Sequence, residues 1–359
     1  MSKIKSINKS IFKNLIKTAG VSLVVIFTFS QIPPTFNFIS KNFFYTKTIL
    51  SSAGINFDNF ALEKSLNELR KSENIDENKI QEQIIADIEF YNTEKKIDDP
   101  PIINAKIIKK LFKEEGYSLE KVRKNKVVNI GLSIPRLPKE IKEIANVKKK
   151  KELFLEIILP LILEENAKIR VDRIKFFSIL NKKYNSNRDK KWLIEKLDQY
   201  GVKNNDLSTL KIRMDEIPTS LALAQAAKET GWGTSRFAQE GNALFGQWTW
   251  SGEGIKPSEA GKDTTHKVAK FKILKSSVRA YLRNLNTHTS YSEFRKERAI
   301  QRDNDENLNS FLLANFLNKY AETGNEYVKI IKKIIKQNSL TDFDDVKILP
   351  TSLKLKKLI

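Results

Sequence analysis

Apolar positions along this chain fall mostly at helical spacing. Phe154, Ile157, Ile158, Leu161 and Ile162 recur at three- and four-residue steps, and Ile174, Phe177 and Leu180 repeat the rhythm. Two helices are predicted there, with a kink or break at Pro160, which has no amide hydrogen to donate. Further helices are predicted over Ile273–Leu285, with Val278, Tyr281, Leu282 and Leu285 facing inward, and over Leu308–Tyr320 and Tyr327–Ile335. Alternation appears at Lys267–Phe271, and Gly252-Glu253-Gly254 upstream of it has turn chemistry, so a small β-hairpin lobe is expected at about Trp248–Lys272. The amphipathic stretches Phe60–Leu69 and Ile80–Phe90 lie in polar sequence interrupted by Asp98-Asp99-Pro100-Pro101, which reads as short helices on a spacer.

The pattern therefore predicts a mainly α fold with a small β-hairpin lobe. Its expected parts are an export segment at 1–35, a polar spacer or small helical region at 36–136, a helical lead-in at 137–210, a core domain at 211–345 and a tail at 346–359.

The export segment rests on Lys3, Lys5, Lys9, Lys13 and Lys17, followed by a mostly apolar run from Ala19 to Ile32. At roughly 14 residues the run is short for a full span, which takes about 20. Thr28-Phe29-Ser30 only loosely resembles a cleavage site, leaving a removed signal peptide and an uncleaved inner-membrane anchor both open. Either form predicts that the rest of the chain is translocated, to the periplasm or to the periplasmic face of the membrane.

Charge alters the picture less than its total suggests. The net charge is +21, which raises nucleic acid as a partner. Yet residues 1–50 hold seven lysines and no acid, while 214–345 hold 19 basic and 17 acidic residues, so the excess lies mainly outside the expected core domain. Nucleic acid is therefore not expected; a solvated basic surface, or attraction to an anionic membrane or wall polymer, accounts for the balance. With no cysteine and only His266 and His288, disulfides, thiolate nucleophiles and multi-histidine metal sites are excluded, and neither metal nor cofactor is expected.

The monotony of lysine and isoleucine breaks at Ile217–Trp250, which holds three of the four tryptophans and four of the thirteen glycines. A plain packed helix has no use for that density. Leu221, Ala222, Leu223, Ala224, Ala226 and Ala227 predict a small-surfaced, central helix that starts near Pro218 and ends at Gly231. Glu229 sits at its C-terminal end, where the helix dipole and a nearby Trp232 would both push the carboxyl pKa upward, as a general acid requires. Trp232, Phe245, Trp248 and Trp250 offer flat faces for sugar rings or for core packing.

The run AQAAKETGWGTSRFA, then GNALFG, then Trp248 resembles the glucosaminidase family, glycoside hydrolase family 73 in the broad sense, and in particular its Bax-like branch. The likeness continues through HKVAKF, Val278-Arg279-Ala280-Tyr281, Asn284 to His288, and Tyr320 with Gly324; upstream it includes LFLEIILPLILEENAKI. It covers about Leu137 to Leu340. The resemblance implies a lysozyme-like helical domain that cleaves the β-1,4 bond after N-acetylglucosamine in peptidoglycan. It also implies that Glu229 is the catalytic acid, that Asn242, Phe245 and Gly246 shape the cleft floor, and that Tyr320 lines the site.

An inverting hydrolase wants a second carboxylate about 6.5–9.5 Å from the acid. Glu253, Glu259 and Asp263 are the candidates in the lobe, Glu253 first for its place on the expected turn. Substrate-assisted catalysis would need none of them and would give Tyr320 more weight. Lytic transglycosylase chemistry on the same fold, or glycan binding without cleavage, are the alternative functions.

Overall fold

In the computed structural model the described residues are 60–72, 100–129, 133–249, 254–256, 267–304 and 306–349, with only the backbone given for Phe60, Ser72, Trp248 and Thr249. The export segment, Ile80–Phe90, Trp250, Glu253, Glu259, Asp263 and His266 lie outside them. No described helix is long and apolar enough to cross a membrane.

The described residues belong to one compact unit. In chain order it contains helices α1 (Phe60–Ser72), α2 (Ala105–Glu114) and α3 (Leu119–Asn125), strand β1 (Val127–Val128), and helices α4 (Val147–Leu180), α5 (Asn187–Gln199), α6 (Leu207–Arg213), α7 (Thr219–Thr230) and α8 (Arg236–Gly241). Strands β2 (Trp248–Thr249), β3 (Gly254–Ile255) and β4 (Lys267–Ala269) follow, then helices α9 (Leu274–Thr287), α10 (Ser292–Asp303), α11 (Ser310–Leu313) and α12 (Asn325–Gln337) and strand β5 (Lys347–Ile348).

The mainly α expectation holds, with two differences of local structure. The two helices predicted around Pro160 are one, the 34-residue α4, which continues through the proline. Pro160 cannot donate to the Glu156 carbonyl, and the Tyr117 hydroxyl donates to that carbonyl instead at 3.0 Å. The acceptor that would have been orphaned in the core is thereby satisfied. In the lobe, β2 and β3 do not pair with each other; β4 lies between them, antiparallel to both, with Val268 opposite Trp248 and Ile255. The result is a three-stranded sheet rather than a hairpin about Gly252–Gly254. The tail begins as structure too, since β5 pairs parallel with β1, Val127 opposite Lys347.

Helix α7 is central, as its small residues predict: Ala222, Ala224, Ala226 and Ala227 are buried, and it packs against α4, α12 and the 3-10 turn Leu340–Phe343. Helix α4 also packs on α9, so the helices before and after α7 share one core.

The start of α7 has no cap from its own N-cap residue, Pro218. Asp344 takes that role from across the core, its two oxygens accepting the Ser220 backbone N–H and hydroxyl, each at 2.7 Å. Burial, with the Asp345 charge beside it, outweighs the two Ser220 hydrogen bonds and raises the Asp344 pKa to about 6. A carboxyl raised from the ordinary 3.8 favours folding when protonated, and that contribution fades as pH rises from about 4 to 6. Asp344→Asn keeps the acceptor and removes the charge. The variant's melting temperature should therefore gain on wild type as pH increases over that range; a difference independent of pH would refute the linkage.

Candidate active site

Glu229 occupies the last turn of α7, and Gly231, in the left-handed region at φ 56°, ends the helix behind it. The Glu229 pKa is raised, by burial first, against the opposing pull of the Tyr327 hydroxyl and Lys228. Oε1 is buried without a hydrogen-bond partner, the Tyr327 hydroxyl lies beside the carboxyl, and Oε2 is turned toward Gly246. This is the direction expected of a general acid at the negative end of a helix.

Gly246 approaches the same oxygen. It adopts φ 60°, and a Cβ built there would lie 3.3 Å from Glu229 Oε2. Gly246→Ala should cost about 1–2 kcal/mol of stability through left-handed strain alone, measured by urea unfolding. It should also lower activity by crowding the carboxyl. Full activity in the variant would mean that this carboxyl is not the working one.

Beside Glu229 lies a stack of aromatic rings from five segments. Phe245 is parallel to Tyr281 at 3.9 Å between centroids, Tyr320 is nearly parallel to Tyr327 at 5.4 Å, and Tyr291 lies 6.1 Å from Tyr320. Polar contacts bind the stack. The Tyr320 hydroxyl donates to the Phe245 carbonyl at 2.9 Å, the Tyr281 hydroxyl to Gln225 Oε1 at 2.6 Å, and Gln225 Nε2 to the Tyr327 oxygen at 2.9 Å. All four tyrosines have pKa values raised, burial being the main cause, and they stay neutral across the working range.

No solved structure matches the chain. The glucosaminidase family, described as mannosyl-glycoprotein endo-beta-N-acetylglucosaminidase, matches residues 208–340. Over 184 residues the chain is 34% identical to Protein bax of Escherichia coli; the matched segment is 50% of this chain and 66% of that protein, just under two thirds of its length. The chain carries a Bax-like glucosaminidase domain.

Within this domain the structure brings together Glu229, Gly246, Phe245 and Tyr320, four of the residues singled out from the sequence. Asn242 serves the floor indirectly. It is buried in the left-handed region at φ 51°, and its Nδ2 donates to the carbonyls of Phe271 and Lys272 at 2.8 and 3.0 Å, tying the end of α8 to the approach to α9. Trp232 faces the lead-in helix: its ring meets Phe154 edge-on at 5.8 Å and takes Lys151 Nζ over its face at 4.6 Å. Those contacts are core packing and a cation–π pair.

Sequence reading passed over Gln225 and Tyr327 and took Tyr281 for packing alone. The available signal was that a tyrosine on the inward face of an amphipathic helix brings a hydroxyl that needs a partner. Among the described residues, no second carboxylate contributes to the Glu229 shift, and no group of three His, Asp or Glu could hold a metal ion.

A cavity of about 390 Å³ opens at the other end of α7, lined by Arg170, Glu216, Arg302, Lys126, Asp344 and Asp345 among others. Most of its charges answer one another: Arg170 pairs with Glu216, Arg302 reaches Asp215 at 3.1 Å, and Lys126 reaches Asp345 at 3.0 Å. Glu229 is ten residues along the helix from Thr219, about 15 Å.

Proposed function

We propose that this protein is a peptidoglycan hydrolase, an endo-β-N-acetylglucosaminidase with Glu229 as the general acid. The observation that carries the reading is a buried carboxyl with a raised pKa and an unpartnered oxygen, at the end of the central helix of a glucosaminidase domain. Such a carboxyl is protonated at higher pH than an exposed one and can deliver its proton to the glycosidic oxygen as the bond to N-acetylglucosamine breaks. The Phe245–Gly246 segment, with Tyr320 bonded to it, forms the floor against which the sugar is held.

Water activation then falls either to a carboxylate of the lobe, Glu253 before Glu259 or Asp263, or to the substrate's own N-acetyl group, with Tyr320 lining the site. Trp248 and Trp250 would supply stacking faces for further sugars. The charged and apolar start of the chain would export it and place it at the periplasmic face of the inner membrane or in the periplasm.

Digestion of purified peptidoglycan tests the reading. Products ending in a reducing N-acetylglucosamine, identified by mass spectrometry, are expected. Products ending in anhydro-muramic acid would instead assign a lytic transglycosylase. Retention on insoluble peptidoglycan without release of fragments would leave a glycan-binding protein.

A further inference from the structure

The hydrogen-bond chain behind Glu229 has a direction. Tyr281 is fully buried, and its hydroxyl hydrogen goes to Gln225 Oε1 at 2.6 Å. With the amide oxygen engaged there, the amide nitrogen faces the opposite way, where Nε2 donates to the Tyr327 oxygen at 2.9 Å. A phenol that accepts at its oxygen still has one hydrogen to give, and the Glu229 carboxyl lies beside it. Turning the amide over would reverse both contacts. Tyr281 would then receive a hydrogen from Nε2 while its own hydrogen lost its acceptor in a fully buried position, an arrangement that folded proteins avoid.

Gln225 and Glu229 are four residues apart on α7 and so share a face. Tyr281 comes from α9 and Tyr327 from the first turn of α12, so the chain joins three helices at the acid. We propose that Gln225, oriented by Tyr281, is a positioning residue for Glu229: by donating to the Tyr327 oxygen it keeps that hydroxyl's hydrogen turned toward the carboxyl, while Oε1, which has no partner, is left for the transferable proton. Its value to catalysis rests on the hydrolase reading above; the direction of the chain does not.

The test is a carbon-13 NMR titration of the Glu229 carboxyl in the full-length protein without substrate, with the resonance assigned from the Glu229→Gln spectrum. Tyr281→Phe keeps the ring that stacks on Phe245 and removes only the hydroxyl that orients the amide. It should raise the Glu229 pKa by about half a unit or more, because a hydrogen bond to the ionised form is lost. Tyr327→Phe should raise it at least as far, and the double variant no further than Tyr327→Phe alone. If Tyr281→Phe unfolds, Gln225→Met, which removes both amide contacts without adding a charge beside Glu229, should give the same upward shift.

An unchanged pKa in Tyr281→Phe while Tyr327→Phe moves it would reduce Gln225 and Tyr281 to packing and overturn the proposal. An unchanged pKa in Tyr327→Phe would overturn it as well. A wild-type protein that cleaves no glycan would refute the hydrolase reading without touching this titration. In an active enzyme, Tyr281→Phe should lower kcat with KM unchanged.

Discussion

Glu229→Gln should lower the rate of glycan release by about 100-fold or more, the usual loss when a general acid is removed, while leaving the protein at least as stable as wild type. The two halves of this expectation have one origin. Burial raises the Glu229 pKa, so at neutral pH ionising this carboxyl opposes folding. Gln has nearly the same shape, can still accept from Tyr327, and carries no charge. A residue kept for packing would show the reverse, a loss of stability with activity following it. The pH profile of the wild-type enzyme carries a matching signature: activity should fall on the alkaline side as Glu229 deprotonates, at a pH above the ordinary glutamate range. Release of fragments by Glu229→Gln at the wild-type rate would remove Glu229 from the mechanism.

Helix α7 and its acid could be read in the sequence because their signals are local. Small residues on every side of the helix require close neighbours, Gly231 ends it, and a lone acid beside that glycine sits where the dipole raises its pKa. Helix α4 was half legible: its periodicity is plain, but continuity through Pro160 depends on Tyr117, 43 positions earlier, whose hydroxyl reaches the Glu156 carbonyl. The tyrosine cluster was harder still. Gln225, Tyr281 and Tyr327 lie on three helices, and each looks like an ordinary inward-facing residue until the fold brings their polar atoms within 2.9 Å of one another. Pairing within the lobe was misjudged for a related reason. A Gly-Glu-Gly triplet is a turn signal in any context, and only the distant β4 decides that β2 and β3 are kept apart.

Arg298→Ala should cost about 3–5 kcal/mol, the usual penalty for removing one member of a buried charged network. Arg298 is fully buried beneath the segment that leads into α7. Nη1 donates to Asn286 Oδ1 at 2.7 Å and to the Asp215 and Glu216 carbonyls at 3.2 and 3.1 Å, and Nη2 donates to the Ile212 carbonyl at 2.9 Å. Truncation orphans those acceptors and leaves a void where the side chain lay.

The network is crowded with positive charge, since Arg170, Arg173, Arg298 and Arg302 surround Asp215 and Glu216. Burial, together with Arg173, Arg302 and Arg295 and against the attraction of Asp215, lowers the Arg298 pKa to about 10. Asp215 shows the other side of the balance. Burial alone would raise its pKa, but Arg173, Arg302 and Arg298 hold it well below the usual carboxylate range. A lowered carboxyl pKa contributes its full stability above the unfolded value of about 3.9 and loses it as pH falls toward the folded value. Wild-type stability should therefore drop steeply below about pH 4, and Arg298→Ala, with one cation fewer on Asp215, should show a shallower acid slope from a lower plateau. Urea unfolding across that pH range measures both. A loss under about 1 kcal/mol, the size of an exposed ion pair, would mean that the segment entering α7 is held by its apolar contacts and not by this arginine.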